Sequence, residues 1–223
     1  MTGAQPALPV FFEQVFACSP EVAAVIAGRA AERRYEPRAL ILRQGDRTGE
    51  TFILVFGTAH ALLYGRDGQM ALLREFAAGD IFGSIAEARP APEEADIVAA
   101  EAAGAAAFLA LDFLGLIEAH SCVGLAVSRM LLKQLRAATG KFAERATLSA
   151  QGRVYAELLR LARQGDGQTL SPAPVLSALA VRVQTTRETA SRAVGALERR
   201  GILRRDDGGW IIAAPHRLED LVV

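Results

Sequence analysis

Apolar and polar positions change rhythm several times along the chain. From Val10 to Ala31 they follow a helical period, which predicts a short helical lead-in. From Tyr35 to Leu111 the pattern breaks into short apolar runs punctuated by glycine. Gly45-Asp46, Gly57, Gly68 and Gly79-Asp80 recur at gaps of 12, 11 and 11 residues, with strand-like Thr51 to Phe56, Ala59 to Tyr64 and Met70 to Phe76 between them. Regular turns between short strands predict an antiparallel roll or barrel. Positive φ at the turns is reason enough for the glycines, so they imply no ligand.

From Leu111 to Arg145 helix formers return without a proline. Ser128, Leu131, Leu135, Ala138 and Phe142 repeat at gaps of 3, 4, 3 and 4, a heptad seam that fits a two-helix dimer contact better than a helix lying on its own barrel. A further helix is expected over Gln151 to Arg163, ending in Gly165-Asp166-Gly167. Pro172 and Pro174 then separate it from a helix over Val175 to Val181. The chain therefore reads as α+β in three parts: a roll with its helical lead-in over 1–110, a dimerisation helix and hinge over 111–146, and a small helical domain over 147–223.

In the last part, Val175 to Val181, a turn over Arg182 to Thr185 and a helix over Thr186 to Arg200 have helix-turn-helix spacing. Thr185 and Glu188 form a candidate capping box that fixes the start of the second helix. On that helix Arg187, Glu188, Ser191, Arg192 and Gly195 fall within a ~140° sector, while Ala190, Ala193, Val194 and Leu197 take the opposite side. A free face with arginines and a carboxylate at its N-terminal end suits base edges: arginine bonds guanine O6 and N7 in pairs, and glutamate accepts from cytosine N4. Beyond Gly201, the run Ile202 to Arg205, the turn Asp206-Asp207-Gly208-Gly209 and Trp210 to Ile212 predict a β-hairpin wing. Its Arg204 and Arg205 are candidates for phosphate contacts, and Trp210 for closing the small core.

Charge sharpens this picture. The formal net charge is zero, yet Thr147 to Val223 carries 11 Lys+Arg against 8 Asp+Glu, and the preceding part 14 against 17. Between Arg182 and Arg205 seven arginines face only Glu188 and Glu198, a local surplus that favours phosphates. Other chemistry is sparse. The two cysteines, Cys18 and Cys122, are far apart in sequence and make neither a disulfide framework nor a four-thiolate metal site. His60, His120 and His216 are widely separated, and no Ser/His/Asp or Cys/His set, P-loop or metal-spaced cluster suggests an enzyme. The apolar runs are too short or interrupted to span a bilayer, and Met1 to Val10 lacks a leader pattern, so a cytoplasmic protein without membrane contact is expected.

These features resemble the cyclic AMP receptor protein/FNR family of bacterial transcription factors. The likeness is carried by Gly45-Asp46, Gly79-Asp80, Phe82-Gly83, Gly152-Arg153-Val154 and, most specifically, Thr186-Arg187-Glu188-Thr189 followed by Arg192. It implies a cyclic-nucleotide-binding-like jelly roll, a long dimerisation helix and a winged helix-turn-helix. It further implies a homodimer on double-stranded DNA, contact with RNA polymerase, and recognition of TGTGA-like half-sites by Arg187, Glu188 and Arg192, with Thr185, Thr186 and Ser191 alongside. Nucleotide-binding members follow Phe-Gly with Glu and have an Arg-Ser pair further on. Here Gly83 is followed by Ser84, and Glu94-Ala95 stands in place of Arg-Ser. A carboxylate then occupies the position of the phosphate's partner, which argues against cyclic AMP in the usual pose. The Thr-Ser pair that meets adenine in such members falls on Ala138-Thr139. Arg89 would substitute only if its loop folded back. Two cysteines are too few for the family's iron–sulfur variants. Haem would have only His60 or His120 with no second ligand, so no cofactor is evident. A sensor of another small ligand or of haem, acting mainly through protein–protein contacts, is the alternative.

Overall fold

A computed structural model describes residues 7–65, 70–85, 90–206 and 208–222; Gly68, Arg89 and Asp207 lie outside them. The chain forms two compact units, Met1–Arg136 and Ala137–Val223.

In the first unit the lead-in is two helices, α1 (Leu8–Phe16) and α2 (Pro20–Gly28), rather than one. Ala17 takes a left-handed φ of 48° and ends α1, and the Ser19 hydroxyl accepts the Val22 N–H to start α2. Eight strands follow: β1 (Ala31–Tyr35), β2 (Leu40–Leu42), β3 (Glu50–Phe56), β4 (Ala59–Tyr64), β5 (Met70–Phe76), β6 (Ile81–Gly83), β7 (Asp96–Ala99) and β8 (Ala103–Leu109). They pair antiparallel in two four-stranded sheets, ordered β1-β8-β3-β6 and β2-β7-β4-β5. The fold is thus the expected antiparallel roll, and β4 and β5 span the residues read from the alternation. Between the sheets Phe52 stacks on Phe82 with centroids 5.3 Å apart, and Phe76 packs on Phe82 at 5.0 Å. A second cluster joins the lead-in to the roll through Phe12, Phe16, Ile26, Phe108 and Phe113.

The stretch expected to be one long helix is broken. Helix α3 (Ala110–Ala119) ends at His120, whose backbone is extended (φ −127°, ψ 104°), and α4 (Ser121–Thr147) leaves at 113° to it. The first turns of α4 bury Val123, Ala126 and Val127, whereas every residue from Leu135 to Thr147 is exposed. The division between the two units falls inside α4 rather than at its end.

The second unit contains α5 (Ala150–Ala162), β9 (Thr169–Leu170), α6 (Leu176–Arg182), α7 (Arg187–Arg199), β10 (Leu203–Asp206), β11 (Gly209–Ile212) and α8 (Pro215–Glu219). Its core is Val154, Tyr155 and Leu158 of α5 against Ala190, Val194 and Leu197 of α7, with Trp210 and Ile212 of the hairpin. Strand β9, which the sequence pattern did not reveal, pairs with β11 and makes a three-stranded sheet with β10. A turn built on Asp166 delivers it. That carboxylate accepts the N–H groups of Gln168 (2.8 Å) and Thr169 (2.6 Å) and the Thr169 hydroxyl (2.7 Å).

These donors lower the Asp166 pKa to about 2, with the Thr169 hydroxyl the largest cause. A carboxylate depressed in the folded state stabilises above its unfolded pKa of 3.8 and loses that contribution as pH falls toward about 2. An NMR titration of Asp166 is therefore expected to show its midpoint near 2. A midpoint near 4 contradicts the turn.

Candidate nucleic-acid interface

Helix α7 is capped by Thr186, whose hydroxyl accepts the Thr189 N–H at 3.2 Å. The capping box expected from Thr185 and Glu188 is therefore corrected by one position. Thr185 instead belongs to the turn, where its N–H donates to the Ala180 carbonyl at 2.9 Å. The turn needs a left-handed residue and uses Gln184 (φ 52°), not glycine.

The two faces of α7 separate as its periodicity predicts. Ala190, Ala193, Val194 and Leu197 are buried, while Arg187, Glu188, Ser191 and Arg192 are exposed. Thr189, absent from the sequence-derived set, joins them: its hydroxyl bonds that of Thr186 at 3.1 Å and accepts from Arg192 Nη2 at 3.3 Å. Its place in the Thr186-Arg187-Glu188-Thr189 run could have marked it. The Glu188 carboxyl is held below the usual range by its own backbone N–H and the Thr186 hydroxyl, and next by the Arg187 and Arg192 guanidiniums. The face thus presents two cations flanking a carboxylate that stays ionised at neutral pH.

Arg153, in the first turn of α5, fastens this motif from behind. Its Nε donates to the Val183 carbonyl (3.0 Å), Nη2 to the Gln184 carbonyl (3.4 Å) and Nη1 to the Leu148 carbonyl (3.2 Å). One guanidinium so ties the helix-turn-helix turn to the end of α4. On the wing, Arg204 is exposed, whereas Arg205 donates to Glu198 of α7 and lies over the Trp210 ring at 5.7 Å. Trp210 is buried and closes the small core.

In the roll, Gly83 has φ +82°, and a Cβ there would fall 2.6 Å from the Glu50 carbonyl oxygen. Ser84 follows it, buried. Its N–H donates to Glu50 O at 3.0 Å and its carbonyl accepts the Thr51 hydroxyl, but its own Oγ has no partner among the described residues. Ala95 is buried and Glu94 exposed. The carboxylate expected at the position of the phosphate's partner is therefore corrected to an exposed one: the Glu94 side chain faces water, which screens it. The 90–95 segment is fastened to the β2–β3 turn by Gly45 N–H to Glu93 O (2.9 Å), Glu93 N–H to Asp46 O (2.8 Å) and Arg47 Nη1 to Pro90 O (2.7 Å). An open cleft of about 540 Å³ beside that turn is lined by Leu40, Leu42, Arg43, Asp46, Arg47 and Thr48. Ala138 and Thr139 lie on the exposed part of α4, in the second unit.

His60 on β4 sits 3.4 Å from Glu75 across the sheet, and His120 ends α3. Among the described residues no group of three His, Cys, Asp or Glu side chains is placed to hold a metal ion. No single described helix is long and apolar enough to cross a membrane.

Residues 32–120 match the cyclic nucleotide-binding domain family, and residues 152–221 the Crp-like helix-turn-helix domain. The chain is 28% identical over 191 residues to the cyclic AMP receptor protein of Thermus thermophilus, which covers 85% of this chain and 88% of the relative. It is 26% identical over 167 residues to the cAMP-activated global transcriptional regulator Vfr of Pseudomonas aeruginosa, covering 73% and 75%. Its fold is similar to a CooA mutant from Carboxydothermus hydrogenoformans, with TM-score 0.75, 18% identity and 90% of each chain covered. These relatives are regulators rather than enzymes. A cyclic-nucleotide-binding-like roll followed by a Crp-like winged helix-turn-helix places the chain in the cyclic AMP receptor protein/FNR family of DNA-binding transcriptional regulators.

Proposed function

We propose that this regulator is a cytoplasmic homodimer that reads a two-fold operator with TGTGA-like half-sites through α7. The observation that carries the reading is the exposed set Arg187, Glu188, Ser191 and Arg192, set on a helix whose other face is buried and whose start is capped by Thr186. Arginine and glutamate there match guanine and cytosine edges in the major groove. Arg204 and Arg205 of the wing take phosphates. The Arg205–Glu198 pair is solvent-exposed and worth little, so a phosphate can displace it.

The dimer reading is supported by α4. Leu131, Leu135 and Phe142 are 45%, 64% and 74% exposed, and Ser128 and Ala138 lie exposed in the same seam. An apolar stripe on the part of α4 beyond Val127, where no residue is buried, calls for a partner helix. The proposed parts are a sensor over 1–110, a dimer helix and hinge over 111–146 and a DNA-binding domain over 147–223. RNA polymerase contact follows from the family likeness.

A fluorescence titration tests base reading. A palindromic TGTGA-type duplex is expected to bind about 10³-fold or more tighter than a scrambled duplex at the same salt. Equal affinities refute it.

The effector-pocket candidates of the roll, Gly83, Ser84, Glu94 and Ala95, depart from the cyclic AMP-binding pattern, and Ala138-Thr139 departs from its Thr-Ser pair. A neutral Ser84 stands where nucleotide-binding members carry a carboxylate, and Glu94-Ala95 replaces the Arg-Ser pair that would meet the phosphate. Cyclic AMP is expected to leave operator affinity unchanged in the same titration. A tightening on its addition overturns this pocket assignment while leaving the assignment of α7 intact.

A further inference from the structure

Strand β5 carries one cation on the row of side chains that faces the inside of the roll. Side chains alternate along a strand, and Leu72 and Phe76, two residues to either side of Arg74, are buried, whereas Leu73 and Glu75 between them are exposed. Across the sheet Arg74 stands opposite Ala61 of β4, a small buried residue, and Ala61 stands opposite Ile97 of β7. The Arg74 guanidinium lies over the Phe76 ring at 4.2 Å, and Phe76 in turn packs on Phe82. Burial lowers the Arg74 pKa, with Asp80 opposing the shift, and a guanidinium in such a place stays charged.

What this cation lacks is a hydrogen bond. The carboxylate beside it, Asp80, comes no closer than 3.9 Å through Oδ1, while Asp80 Oδ2 accepts the Ala77 N–H at 2.9 Å. By contrast, Arg160 closes on Glu157 at 2.7 and 2.6 Å, and Arg163 on Glu219 at 2.6 Å. Glu75 points to the other side of the sheet, where it meets His60. Among the described residues, then, Arg74 donates to nothing. Its side chain is 29% exposed, so a solute reaches it without opening the core.

We propose that Arg74 anchors an oxyanion site inside the roll, taking the carboxylate or phosphate group of a small ligand. The planar guanidinium offers its N–H donors as a fork that fits two oxygens of one such group. Phe76 holds the plane of the fork, and the small Ala61 opposite leaves room beside it. The site is set apart from Gly83-Ser84 and Glu94-Ala95: the cation missing at position 94 is supplied from β5, so the anion is held from a different strand than in the usual cyclic AMP pose. This assignment rests on the reading of the roll as a sensor.

The test is an NMR titration of the full-length protein without DNA, following the arginine Nε–Hε signals as acetate or inorganic phosphate is added, with sodium chloride at matched ionic strength as control. One signal is expected to shift saturably with at least one of the two anions, and the arm that saturates tells a carboxylate ligand from a phosphate. Arg74→Lys identifies that signal by its loss. Followed through the amide signals of β5, this variant is expected to bind at least about tenfold more weakly, because an ammonium keeps the charge but not the fork. Asp80→Asn is expected to bind more tightly, since a charge that repels the anion is gone. The proposal is overturned if the signal lost in Arg74→Lys shows no saturable change with either anion, or if sodium chloride moves it equally. Neither outcome touches base reading by α7, which the duplex titration tests separately.

Discussion

Replacing Arg192 by alanine is expected to weaken binding of the palindromic operator by about 2–6 kcal/mol, the sum over two half-sites of about 1–3 kcal/mol for each lost bidentate base contact. Affinity for a scrambled duplex is expected to stay nearly constant, because that binding rests on phosphates. Arg192 is suited to this role by its surroundings. Its guanidinium is anchored on Thr189, itself bonded to the Thr186 cap, so part of its rotamer freedom is already spent before DNA arrives. Arg187→Ala is expected to behave likewise. Arg204→Ala makes the contrast: its loss lowers both affinities together and reduces the salt dependence by about one phosphate contact per protomer. Fluorescence titration of both duplexes at several salt concentrations separates the two patterns. An Arg192→Ala protein that loses equally on both duplexes would assign that side chain to phosphate.

The second large effect is expected away from the exposed face. Arg153 gives hydrogen bonds to the Val183, Gln184 and Leu148 carbonyls, which lie outside the helices. Hydrogen bonds to a charged group contribute about 1.5–3 kcal/mol each, and those made here share a half-buried site. Arg153→Ala is expected to cost about 2–4 kcal/mol in urea unfolding of the second unit, and to weaken operator binding at equal protein concentration because the turn before α7 loses its anchor. Arg153→Lys is expected to recover less than half of the stability, since a single ammonium cannot span three divergent acceptors. An unchanged urea midpoint for Arg153→Ala would remove the clamp from the account.

Much of this was legible in the residues. The buried side of α7, Ala190, Ala193, Val194 and Leu197, follows directly from the helical period, as do strands β4 and β5 from their alternation. Those signals are local, because a helix or strand face repeats within a few residues. The misses are places where one residue's backbone decides. Thr186 rather than Thr185 caps α7 because the chain needs one more residue to leave the left-handed Gln184, and no glycine marks that turn. The break at His120 is equally quiet: no proline marks it, and Phe113 and Leu116 are buried on one side of the bend and Val123 on the other. Strand β9 has two residues, too few for any period to show.

For this protein, then, composition and periodicity by themselves determined the order of roll, helix and winged helix-turn-helix, and which side of α7 carries Arg187, Glu188 and Arg192. Tertiary structure alone decided two things. Arg153 reaches the turn that presents those residues, and the exposed Glu94 faces water while Ser84 is the buried change. The reason is common to both. Each depends on contacts between residues distant in the chain, and an alternation or a helical period reports only which face a side chain occupies, never what the folded chain brings opposite it.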